Sequence, residues 1–359
     1  MRGYALSAAI AAFAFFGVAN AQPAPAAPET AAAPPSRELR SALTAYAAFH
    51  TDVSDLRAAR IGNAAELETA LDRVGRHNRD ALTRGWVAYG AYAAAQSPAF
   101  VRGVRDAAAY YGRDAVIRAI TADPAFARGL RGGNDATRIL LDSAGADAAR
   151  IISVADRYQE MAYGLQRQRW ANTVAPQQAA RVQRIRALGA PGARQQTLPD
   201  EVTPRLQVAT LSLSPGDDPT AFGGRRFWDA MRGGGDVVNV SSGQGNRHWR
   251  INPTRGEAID RMAALAALQA LDAAAERESA VSQLMNDPRS RDCLEMAQLQ
   301  LYQCMSAARF RYENAFCLGE HGLRDVGQCI AAVGEPDGAS MTPINGALRQ
   351  GATVGAGRQ

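Results

Sequence analysis

Four cysteines carry the most legible chemistry in the chain. Cys293, Cys304, Cys317 and Cys329 are the only thiols in 359 residues. On a helix, residues eleven apart differ by ~20° around the axis and ~16 Å along it. Cys293 and Cys304 would therefore share a helix face yet lie beyond the ~7 Å Cα reach of a disulfide. The pairs 293/329 and 304/317 are centred on nearly the same position. A helical hairpin turning near Phe310 brings both into register, so Cys293–Cys329 and Cys304–Cys317 are expected as nested bridges. Gly319 and Gly322 offer a different bend, which favours Cys317–Cys329 instead. A third reading gathers Cys304, Cys317, His321 and Cys329 around a metal, but the paired short spacings of zinc sites are absent. No metal is expected.

The other residues with catalytic potential lie in a Gly/Pro-rich stretch. Asp217, Asp218, Asp229, Asp236 and His248 stand beside Trp228 and Trp249. Two carboxylates near aromatics are the apparatus of glycan hydrolysis, one as acid and one as base or nucleophile. Asp and Gly also build turns, and that reading is preferred, with Asp229, Asp236 and His248 kept as weak catalytic candidates. His50 falls on an apolar stripe and is expected as a hydrogen-bonded core residue. His77, within His77–Asp80, is expected on a polar helix face. There is no Gly-x-Ser-x-Gly, His-Glu-x-x-His or complete Gly-x-Gly-x-x-Gly motif, and no Cys-x-x-Cys-His for haem. All 40 basic residues are arginine. Walker loops, kinase catalysis, pyridoxal Schiff bases and Ser-Lys hydrolysis need a lysine amine and are excluded. No cofactor is implied.

The elements that position these residues read as helices. Alanine supplies much of the 47% hydrophobic content, and only 7% of residues are aromatic. Alanine is the best helix former and lets helices approach closely. Leu39, Leu43, Tyr46, His50 and Val53 form one apolar stripe, and Leu67, Leu71, Val74 and Leu82 a second, leading to Trp86, Tyr89 and Tyr92. Ile151, Ala155, Tyr158, Ala162 and Leu165 form a third. Ser97–Arg105 is echoed by Asp123–Arg131, each a capping residue followed by proline, the pattern of two similar helix starts. Phe100, Phe126, Val104 and Leu130 should point inward. Short β-prone pieces occur at Val208–Leu213, Val237–Ser241 and His248–Ile251. Thr254–Glu257 reads as a capping box opening a helix that Asn286–Pro288 stops, the same residues starting the next.

The expected architecture is an all-α helical bundle with an irregular, partly β insertion and a C-terminal disulfide-braced helical hairpin. Residues 1–21 read as a signal peptide: Arg2, an apolar run from Ala5 to Val18, then Ala19-Asn20-Ala21, with cleavage between Ala21 and Gln22. A Pro/Ala-rich linker (22–36), a helical bundle (37–188), the insertion (189–254), the four-Cys helical region (255–333) and a disordered tail (334–359) follow. No segment of the mature chain is long and apolar enough to span a bilayer. The net charge of +5 is spread among 35 acidic residues, which argues for solvated helix faces and against nucleic acid. These features lead to the expectation of a periplasmic or secreted bacterial protein. It would have a structural, assembly or interaction role, with an envelope protein or a cell-wall polymer as partner. The alternatives are a cell-wall hydrolase using the insertion, and a small-molecule carrier with a pocket lined by Trp86, Tyr89, Tyr158 and Trp170.

Overall fold

The computed structural model describes residues 36–193, 197–211, 218–233 and 249–336. The expected signal segment, the linker up to residue 35, Val237–Ser241 and the tail beyond 336 lie outside the described residues. The first helices are α1 (Arg37–Ala58), α2 (Ala64–Gly75), α3 (Arg79–Ala94), α4 (Pro98–Tyr111), α5 (Arg113–Ala122) and the single turn α6 (Ala125–Arg128). The 33-residue α7 (Gly133–Leu165) follows, then α8 (Gln178–Leu188), α9 (Val202–Leu211) and α10 (Phe227–Met231). Strand β1 (Trp249–Ile251) precedes α11 (Glu257–Ala270), α12 (Glu278–Leu284), α13 (Pro288–Ala307) and α14 (Arg311–Cys317). A π-helical segment (Leu318–Arg324) leads into α15 (Asp325–Ala331) and β2 (Gly334–Pro336). The fold is an all-α bundle, as the periodicity indicates.

Polar caps start several of these helices. Side-chain oxygens of Ser36, Asn63, Asn78, Ser97 and Asp287 each accept an N–H of the following turn, satisfying donors that the helix cannot. Ser97 and Asp287 are followed by Pro98 and Pro288, whose missing N–H costs nothing there. The echoed segment behaves differently. After Asp123-Pro124 only four residues are helical, and the Arg131 carbonyl packs where a Cβ on Gly103 would sit. The two copies thus pack on each other. Phe100 and Val104 are buried, while Phe126 and Leu130 are only half-buried.

Small residues set the spacing at the centre. A Cβ on Gly85 of α3 would lie 2.5 Å from the Ala42 carbonyl oxygen of α1, and one on Gly90 would meet Met262 of α11. Every residue from Met262 to Leu268 is buried, as expected of a helix apolar all round that sits inside a bundle. α7 packs against α3 and α11 and also along the C-terminal hairpin. All three apolar stripes face this core. No helix among the described residues is long and apolar enough to cross a membrane.

Four local expectations are corrected. Val208 does not lie in a strand: it belongs to α9, which docks through buried Val202 and Leu206 while Val208 stays exposed. Anchoring of the helix's first turn outweighs the weak β-propensity of one valine. The expected strand near residue 250 does form, but it pairs antiparallel with Gly334–Pro336, the start of the segment expected to be disordered. The capping box at Thr254 is absent. Thr254 instead bonds through Oγ1 and N to Asn252 Oδ1, and α11 follows Gly256 as N-cap without a side-chain cap. Asn286–Pro288 separates α12 from α13, so a short helix intervenes after α11.

The hairpin turns at residues 308–310 without glycine or proline. Glu313 replaces them, accepting the Phe310 N–H at 2.9 Å and the Arg309 N–H through the same oxygen. Cys293–Cys329 and Cys304–Cys317 are bonded, with Cα separations of 5.8 and 5.6 Å. Gly319 and Gly322 do not bend the returning arm. They lie in its π-helical segment, where a Cβ would come within 3.0 Å of the Ala155 carbonyl oxygen and 2.8 Å of Val74. Their role is close approach to α7 and α2.

Candidate functional site

The carboxylates singled out in the sequence do not form a catalytic pair among the described residues. Asp229 is buried on α10, and its carboxylate takes a hydrogen bond from the Arg150 guanidinium of α7. Asp218 is half-buried and holds a turn, accepting from the N–H and hydroxyl of Thr220. Asp217, Asp236 and His248 lie outside the described residues. The aromatic group expected to line a carrier pocket is divided. Trp86, Tyr89 and Tyr158 are packed in the core, whereas Trp170 is half-buried and donates Nε1–H to Gln168 at 2.6 Å.

A buried polar cluster that sequence reading missed lies between α1, α7 and α10. Asp147 of α7 accepts from the Tyr46 hydroxyl and from Trp228 Nε1, both at 2.8 Å. The His50 ring stacks on Trp228 at a centroid distance of 4.2 Å, nearly parallel. Its Nε2 stands 3.8 Å from Asp147 Oδ2, and neither ring nitrogen makes a hydrogen bond. The expected hydrogen-bonded His50 is therefore buried but held by stacking. Arg150 bridges Asp229 and the Ser54 hydroxyl.

Burial dominates the electrostatics of this cluster. It pushes the Asp147 carboxyl up to about 7, against the pull of Tyr46, Trp228 and nearby Arg150. It drives His50 well below its ordinary value, helped by Arg150 and His77. It also raises the Tyr46 hydroxyl. A neutral imidazole facing a carboxyl that keeps its proton to near neutrality is no ion pair. The cluster can store a proton, but its members are enclosed: His50, Asp147, Arg150 and Asp229 are each at most 5% exposed. A substrate has no approach to groups so committed to one another.

A second polar group reaches the surface. His77, in the turn between α2 and α3, is buried against Phe49, and its Nε2 lies 2.6 Å from Asp52 Oδ2. This corrects its expected place on a polar helix face. Arg76 Nε donates to the same carboxylate oxygen at 2.6 Å. Burial pushes the Asp52 carboxyl up, but the bonds from His77 and Arg76 outweigh it and hold the group below its usual value. Burial lowers His77 despite Asp52. Beside His77 lies a 320 Å³ cleft walled by α1, the first turn of α3 and residues 190–193.

The signal for both groups was present as charge at apolar positions. Asp52 adjoins Val53 on the α1 stripe, and Asp147 stands one turn before Ile151 on that of α7. A single helix cannot say which partner will meet such a residue. Among the described residues, no group of three or more His, Cys, Asp or Glu side chains could hold a metal. Every described cysteine is in a disulfide, and His321 pairs through Nδ1 with Asp325 at 2.8 Å. Comparison with protein-family models, curated proteins and solved structures gives no match.

Proposed function

We propose that this is an exported bacterial envelope protein that acts without catalysis, through its helical surfaces, in structure or assembly. The observation that carries the reading is the pair of nested disulfides. They clamp α13 to the returning arm, and such bonds persist in oxidising compartments. The N-terminal charge, apolar run and Ala-x-Ala pattern agree with export. A braced hairpin is also a surface organised before any partner arrives, which lowers the ordering cost of association. The commitment of Asp229 to Arg150 favours the non-catalytic reading over glycan hydrolysis.

The test is intact mass of the protein from its native host, combined with crosslinking of whole cells. The expected mass begins at Gln22 and lacks four hydrogens, and crosslinking yields one discrete larger species in the envelope fraction. An unprocessed N-terminus with four free thiols would overturn the assignment of compartment. Recovery of crosslinked monomer alone would overturn the assembly role.

A further inference from the structure

A cleft between α1 and α9 stands apart from the assembly reading, and its lining gives it a chemistry. Its volume is about 530 Å³, within the roughly 300–1,000 Å³ usual for ligand sites. Leu43, Leu198 and Leu206 supply an apolar wall, and Arg37 and Arg40 line the same cleft. No Asp, Glu or aromatic residue is among the described residues that line it, although the chain carries 35 acidic residues against 40 basic ones.

The two arginines stand three apart on α1, a spacing that puts both on one helix face. Both are exposed, and neither guanidinium has a hydrogen-bond or ion-pair partner among the described residues. The neighbouring carboxylates are committed elsewhere. Glu38 pairs with Arg84 at 3.0 Å. Glu278 feels the Arg37 charge, but its oxygens accept from the Ser36 hydroxyl at 2.7 Å and the Arg37 N–H at 2.9 Å. The threonines add little donor capacity, since Thr44 and Thr210 give their hydroxyl protons to the Arg40 and Gln207 carbonyls at 2.9 and 2.7 Å. The strongest donors open to a ligand are therefore two guanidinium forks, which match carboxylate or phosphate oxygens. A wholly polar anion would leave the leucines without a partner, and an uncharged chain would leave the cations unanswered. An anionic head with an aliphatic tail answers both. From Arg37 to Thr44 the helix rises about 10 Å, the reach of a medium-length alkyl chain.

We infer that this cleft binds a single-chain amphiphile, its anionic head at Arg37 and Arg40 and its alkyl tail along Leu43, Leu198 and Leu206. The test follows the amide resonances of the full oxidised chain during titration with octanoate, octyl phosphate, octanol and acetate. Octanoate or octyl phosphate should shift residues 37–44 and 203–210 saturably, and the tighter of the two identifies the head group. Octanol, which lacks the charge, and acetate, which lacks the tail, should each bind at least about tenfold more weakly. Arg37→Gln combined with Arg40→Gln should bring both anions down to the affinity of octanol while the urea midpoint stays near that of the parent. Thr203→Trp, at an exposed position lining the cleft, should fill it and abolish the shifts. The proposal fails if neither anionic amphiphile moves these amides, if octanol or acetate binds as tightly, or if either variant, shown to be folded, binds as the parent does.

Discussion

Asp147 is the residue whose chemistry most affects the folded state. Its carboxyl, raised to about 7 by burial, keeps its proton after the unfolded chain has lost it. Between about pH 4 and pH 7 the folded state binds more protons, so this residue's contribution to stability declines as pH rises. His50 and His77, lowered by burial, act in the opposite sense. The unfolded chain takes up their protons first, and their contribution declines as pH falls below about 6.5. Asp147→Asn separates the two effects, because asparagine imitates the protonated acid and does not titrate. The variant should gain on the parent between about pH 4 and pH 7, reaching a few kcal/mol at the upper end. Urea titrations at each pH measure this, and a difference that stays constant with pH would refute it.

At the level of elements, glycine positions decide how closely the helices meet. Gly85 lets α3 rest on the α1 backbone, with Ala42 O, Tyr46 N and Tyr46 Cβ all inside the space a methyl would take. Backbone cannot swing aside as a side-chain end can. Gly85→Ala should therefore cost about 2 kcal/mol or more through overpacking. Gly164, near the end of α7, faces open space, and Gly164→Ala should stabilise by about 1 kcal/mol through helix propensity. Opposite shifts in the urea midpoint are the expected result. Two shifts of the same sign would mean that close helix approach is not what these glycines provide.

Across the whole molecule, the disulfides reinforce a hairpin that is buried in smaller proportion than α3 or α11. Removing either bridge by paired Cys→Ala substitution should lower stability by about 2–4 kcal/mol. The loss should be local first. Amide exchange should quicken across 288–331 while α3 and α11, enclosed in the bundle, keep their protection. Uniform loss of protection would show instead that hairpin and bundle unfold as one cooperative unit.

Helical class, the buried stripes and the nested bridges were all readable from one dimension, because each depends on a period or spacing local to a helix. Leu39, Leu43 and Tyr46 share a face wherever the helix packs, and Cys293 with Cys304 can only face a common neighbour. Contacts between distant segments were not readable. Nothing in the order of residues says that Asp147 will meet Tyr46 and Trp228, or that Asp52 will take His77 and Arg76. Glu313 holds a turn that lacks glycine, and Trp249–Ile251 finds its strand partner eighty-odd residues on at Gly334–Pro336. Such pairings depend on how helices stack in three dimensions, and burial then shifts the protonation of Asp147, His50 and His77.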